Sequence, residues 1–95
     1  MAYLLTHYWP GATEVEYREQ LNKVHSDDGQ VLPSGQLYHF AGPTEGGFLV
    51  TAVWDSKQSS DEFVESTLIP SLDEAGGFTT PPVERAAETV NVVAA

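Results

Sequence analysis

Cysteine is absent from all 95 residues. Disulfides, thiolate metal sites and cysteine nucleophiles are excluded with it, although the compartment is not fixed by that absence. Positive charge is nearly as scarce. Arg18, Lys23, Lys57 and Arg85 stand apart along the chain against fourteen acidic residues, giving a formal charge of −10. Binding a phosphate backbone needs clustered Lys and Arg, so no nucleic-acid partner is expected. The same excess argues against anionic membrane surfaces. No apolar run approaches the ~18–20 residues of a membrane helix. The first residues, Met1 to Leu5, lack a basic n-region and run into Thr6 and His7, so no signal peptide is expected and a cytoplasmic location is the default. Also missing are G-x-S-x-G, H-E-x-x-H, G-x-x-x-x-G-K-[ST] and G-x-G-x-x-G. Gly46 with Gly47, and Gly76 with Gly77, read as turn and cap glycines.

What is present suits one small α+β domain spanning residues 1–95. The stretch 35–54 organises it as two strands, 36–41 and 48–54, joined by a turn-rich loop over 42–47. In the second of these, Phe48, Val50, Ala52 and Trp54 alternate with Leu49, Thr51 and Val53. Both sets are apolar or nearly so, and a strand apolar on both sides is covered on both. An earlier strand, 2–9, places Tyr3, Leu5, His7 and Trp9 on one face. Thr13 and Glu16 form a capping box for a helix over 14–24, whose buried stripe is Val15, Tyr17, Leu21 and Val24. Ser59 and Glu62 suggest a second capping box. Val64, Leu68, Leu72 and Ala75, with Phe63, form the apolar face of that helix. Pro70 should kink it or start a separate turn at Ile69, because proline cannot donate to the carbonyl four residues back. A last strand is expected over 83–93, clearest where Val90 and Val92 alternate with Asn91.

The order is strand, helix, strand, strand, helix, strand. With right-handed crossovers this predicts a ferredoxin-like βαββαβ fold, a four-stranded antiparallel sheet in order 4-1-3-2 with both helices on one face. The other face would carry large side chains into water beyond what monomers usually tolerate. A symmetric homodimer, sheet against sheet, is therefore expected.

Several phrases carry a family resemblance: His7–Tyr8–Trp9–Pro10–Gly11, Tyr17, Leu37–Tyr38–His39–Phe40–Ala41–Gly42–Pro43, Val53–Trp54–Asp55–Ser56 ahead of Phe63, and Val90–Asn91–Val92–Val93. Together they resemble the dimeric α+β barrel superfamily, and within it small antibiotic-biosynthesis-monooxygenase-like proteins. The resemblance implies a pocket between sheet and helices in each subunit. It also implies one of several chemistries: cofactor-free oxygenation of polyketide phenols and quinones, haem degradation, or muconolactone-type isomerisation. The haem-degrading branch relies on a histidine in the second helix, and residues 59–75 contain none. The oxygenase branch is associated with an Asn–Trp–Tyr style of site, and this chain offers His7 in its first strand where an amide would stand.

His7 and His39 are the candidate catalytic residues. Both lie on strands flanking the third, and an imidazole can take a proton from a phenol or activated carbon near neutral pH. Either could equally be a half-buried strand histidine satisfied by backbone or water. Trp9, Tyr17, Tyr38 and Trp54 are candidates to bind a flat ligand, with plain core as the other role for each. A metal site from His7 with His39, or from His25 with Asp27 and Asp28, lacks third and fourth ligands at recognisable spacing. The expected function is thus a homodimeric, cofactor-free monooxygenase or isomerase acting on an aromatic or polyketide-like small molecule. A non-catalytic ligand-binding or stress-related dimer stands beside it.

Overall fold

The computed structural model describes residues 1–24, 31–72 and 76–94. In chain order they form β1 (Tyr3–Pro10), α1 (Glu14–Val24), β2 (Gln36–Thr44), β3 (Gly47–Trp54) and α2 (Lys57–Phe63). A π-helical turn (Val64–Leu68), a short α3 (Ile69–Ser71) and β4 (Val83–Glu88) follow. The strands make one antiparallel sheet in the order β2-β3-β1-β4, which is the expected 4-1-3-2 read from the other edge. The fold is the ferredoxin-like α+β arrangement.

Alternation sets the two faces. Leu5 stands opposite Ala52 and Trp9 opposite Phe48 in the β1–β3 register, so the side chains destined for the core leave on the helix-covered side. The core there has two clusters, Leu5–Ala52–Trp54 with Phe63 and Val64, and Tyr17–Leu21–Phe48 with Val50 and Phe78. The helix-free side of the sheet carries Phe40 at 60 % and Leu49 at 39 % exposure.

Helix α1 starts as its capping box dictates: the Thr13 N–H donates to Glu16 Oε1 at 3.0 Å and the Glu16 N–H to Thr13 Oγ1 at 3.3 Å. Its buried stripe differs from expectation. Val15 is 70 % exposed, whereas Gln20 is buried with Tyr17 and Leu21. The positions 17, 20, 21 and 24 follow helical spacing and Val15 does not, so geometry overrides polarity at Gln20.

The other departures also have local causes. The hairpin closes more tightly than a six-residue loop, because β2 continues to Thr44 and only Glu45 and Gly46 turn the chain, Gly46 at φ +76°. Pro43 can lie inside β2 because β2 is an edge strand, where a missing N–H need not break a ladder bond. Gly47 is fixed by contact: a methyl group there would collide with the Trp9 carbonyl. Helix α2 is capped by Ser56, whose side chain accepts from the Ser59 N–H at 3.2 Å, and not by a Ser59–Glu62 box. Ahead of Pro70 the helix widens into the π turn, which continues into α3 without leaving helical dihedrals. Leu72, expected on the apolar face, is 41 % exposed. Ala75 lies outside the described residues, as do His25, Asp27 and Asp28. The last strand ends at Glu88. The Thr89 N–H donates to the Ala2 carbonyl at 2.9 Å, just past the Tyr3–Glu88 pair that ends the β1–β4 register, and among the described residues Val90 to Val93 join no strand.

Candidate functional site

Between the two core clusters lies a cavity of about 70 Å³, lined from the sheet by Leu5, His7, Trp9, His39 and Trp54 among others. Tyr17, Gln20 and Leu21 of α1 close one side and Phe63, Val64 and Leu68 the other, with Phe78 from the loop before β4. At roughly 15 Å³ of such space per water, the cavity has room for about five waters or a small ring. It does not hold a multi-ring polyketide as it stands.

His7 and His39 reach this space from different strands because each shares the inward face with an apolar partner, Trp9 in β1 and Ala52 opposite His39 in β3. Their surroundings differ. His39 Nε2 is 2.7 Å from the Tyr17 hydroxyl. Burial lowers the pKa of His39 and keeps the ring neutral. Burial raises the pKa of Tyr17, with Arg18 opposing the shift. Both groups are therefore held neutral, and the tautomer of the imidazole sets which of the two donates. Tyr17 is further clamped by Phe48, stacked at 4.9 Å between ring centroids.

His7 is tied outward instead. Its Nε2 is 3.2 Å from Glu84 Oε1, with the imidazole side chain 12 % exposed and the carboxylate 53 %. Trp9 meets the His7 ring edge-on at 5.7 Å and is stacked on Phe78 at 4.1 Å. Trp54, 1 % exposed, leans on Phe63 at 5.1 Å.

Five of the six residues singled out from the sequence thus line one cavity: His7, His39, Trp9, Tyr17 and Trp54. Tyr38 does not join them. Adjacent strand residues face opposite ways, so Tyr38 cannot share a side with His39. It stacks on Phe40 at 6.2 Å on the helix-free face. A bulge explains the inward face of β2: Gln36 pairs with Trp54 but Tyr38 with Val53, leaving Leu37 as the extra residue. That extra residue puts both Gln36 and His39 on the cavity side.

Sequence reasoning missed Gln20, Gln36, Phe78 and Glu84. Gln20 was legible from the 17-20-21-24 spacing. Its Nε2 donates to Ser71 Oγ at 2.7 Å, and Ser71 passes its own hydrogen to the Leu68 carbonyl at 2.6 Å, joining α1 to α3. Gln36 and Glu84 depend on a bulge and a strand register, which leave no local signal. Three buried polar atoms of the cavity residues, Gln20 Oε1, Gln36 Oε1 and Trp54 Nε1, have no hydrogen-bond partner among the described residues. Each costs about 1–3 kcal/mol in a dry core. Among the described residues no group of three His, Cys, Asp or Glu side chains is placed to hold a metal ion. No helix there is long and apolar enough to cross a membrane.

A four-stranded antiparallel sheet, covered by helices on one face over a pocket, defines a ferredoxin-like α+β protein. Among solved structures, the chain is similar to a protein from Deinococcus radiodurans provisionally designated an antibiotic biosynthesis monooxygenase. The TM-score is 0.66 at 17 % identity, over 100 % of this chain and 98 % of that one. At that identity the likeness establishes the fold. No protein-family model and no curated protein matches the sequence.

Proposed function

We propose that the chain is a small, cofactor-independent enzyme, a monooxygenase or an isomerase, whose cavity takes a single-ring phenol or a comparably acidic carbon compound. The observation that carries this reading is the convergence of His7, His39 and Tyr17 on one apolar cavity walled by Trp9, Trp54 and Phe78. Aromatic walls suit a flat ring, and a few polar groups fix its orientation. One imidazole takes the acidic proton while the hydrogen-bonded Tyr17–His39 pair orients the ring. In the oxygenase case molecular oxygen is the co-substrate. The designation of the Deinococcus protein favours the oxygenase class without naming a substrate.

The working form in this reading is a homodimer closed across the helix-free face, where Phe40 and Leu49 stand in water. A non-catalytic ligand-binding dimer is the second reading. What favours it is the Tyr17–His39 bond, which occupies one ring nitrogen of a candidate base before any ligand arrives.

A thermal-shift screen against phenols, hydroquinones and quinones tests both, followed by oxygen-uptake and product assays on whatever binds. A saturable shift that His7→Ala abolishes, with turnover, supports the enzyme. A shift without turnover supports the carrier. No shift from any of the three classes removes the pocket from both readings.

A further inference from the structure

The antiparallel register sets His7 directly opposite Glu84, so both side chains leave the sheet on its helix-covered side. The contact is thus built by the β1–β4 pairing, not by a chance reach of a long side chain. Glu84 Oε1 lies 3.2 Å from His7 Nε2. An ionised carboxylate only accepts hydrogen bonds, so Nε2 carries a hydrogen, and in the neutral ring Nδ1 then keeps the lone pair. The edge of His7 set against Trp9, with centroids 5.7 Å apart and planes at 61°, limits rotation of the ring. His39 is wired differently, since its Nε2 faces the Tyr17 hydroxyl at 2.7 Å. The hydrogen-bonded partner of His7, a carboxylate, can compensate a positive charge on the ring.

We propose that Glu84 is a positioning residue for His7, fixing its tautomer and orientation so that Nδ1 is the proton acceptor of the cavity. This rests on the cavity being a ligand site. In the step it serves, the O–H bond of a bound phenol breaks and an N–H bond forms at Nδ1. The electron pair stays on the phenolate oxygen, and the imidazolium that results is balanced by the Glu84 carboxylate. Nothing is oxidised or reduced. The logic is that of a carboxylate behind a catalytic histidine, which orients the ring and stabilises its charged form without taking the proton. Among the described residues, the other titratable groups lining the cavity are Tyr17 from α1 and His39 from β2, which are bonded to each other. Asp61 and Glu65 line the next cleft together with Glu84, and Asp61 is engaged by Lys57 at 2.6 Å.

Two measurements on the full chain test this, with the variants E84A and E84Q. In ¹⁵N-edited NMR, with the histidine signals assigned through H7A and H39Q, wild-type His7 shows the Nε2–H tautomer. E84A mixes the two tautomers, and E84Q, whose amide oxygen still accepts, retains the Nε2–H form. In parallel, p-nitrophenol serves as the probe and its visible absorbance reports the bound phenolate. E84A binds the probe with Kd within about threefold of wild type, but its phenolate-to-phenol ratio is about tenfold lower, as a shift of about one pKa unit gives. E84Q falls between the two. A His7 tautomer unchanged in E84A overturns the proposal, and so does equal phenolate conversion by E84A and wild type. Should p-nitrophenol fail to bind the wild-type protein, the ligand-site reading falls with respect to phenols, and the tautomer comparison alone then decides the role of Glu84.

Discussion

Tyr17 and His39 come from α1 and β2, and the 2.7 Å bond between them fastens that helix to the sheet at the cavity wall. Tyr17→Phe removes the hydroxyl from this bond to a half-buried imidazole nitrogen, which is expected to cost about 1–2 kcal/mol in chemical denaturation. The same pair gives the protein a pH signature. His39 is lowered from its ordinary 6.5 by burial. Below that pH the unfolded chain takes up a proton that the folded one resists, so stability falls as pH drops from 6.5 toward the folded value. Tyr17 is raised above its ordinary 10.0, so stability is lost as pH climbs past 10 and the unfolded phenol ionises first. Melting temperatures measured from about pH 7.5 down to about pH 5 should fall more steeply for wild type than for His39→Gln. Equal slopes would show that His39 protonates as readily folded as unfolded.

Among the elements, α2 shows how a correct motif type can land on the wrong residue. Ser59 and Glu62 have the spacing of a capping box, yet Ser56 three residues earlier does the capping, at 3.2 Å to the Ser59 N–H. Both serines fit the same local rule, and the exit of the chain from Trp54 decides between them. There the Asp55 N–H is bound to the Gly35 carbonyl at 2.8 Å, which holds the turn ahead of Ser56. Ser56→Ala should cost about 1 kcal/mol, the usual value of a lost N-cap. Glu62→Gln should stay within about 0.5 kcal/mol, as exposed sites do. Equal losses in urea melts would contradict this assignment of the cap. The helix and strand faces were legible: the alternation of Tyr3, Leu5, His7 and Trp9 against Leu4, Thr6 and Tyr8 survives into the folded sheet. The stretch from Val90 to Val93 alternates just as well, but the β1–β4 register ends at Tyr3 opposite Glu88, and only the Thr89 N–H bond to the Ala2 carbonyl extends it among the described residues. Alternation states a preference and a ladder needs a neighbour.

For the whole molecule the open matter is the helix-free face. Phe40 at 60 % and Leu49 at 39 % exposure stand on it, beside Tyr38. A homodimer across this face predicts a sedimenting mass of twice 10.3 kDa. Phe40→Glu places a charge on that face and should return the protein to its monomer mass without unfolding it. A wild-type protein that sediments at 10.3 kDa across micromolar to millimolar concentration would remove the dimer. The cavity lies on the opposite side of the sheet, so its ligand-induced thermal shift should persist in Phe40→Glu.

The sequence by itself determined the order of the elements and which side chains of a strand share a face, His7 with Trp9 in β1 and Ala52 with Trp54 in β3. These follow from the two-residue period of a strand and the 3.6-residue period of a helix, which are steric properties of neighbouring residues. Only the tertiary structure decided that Leu37 bulges, so that Gln36 and His39 face the same side, and that Glu84 meets His7 from 77 residues away. Those outcomes are set by strand register and by contact between distant segments, and no run of adjacent residues encodes them.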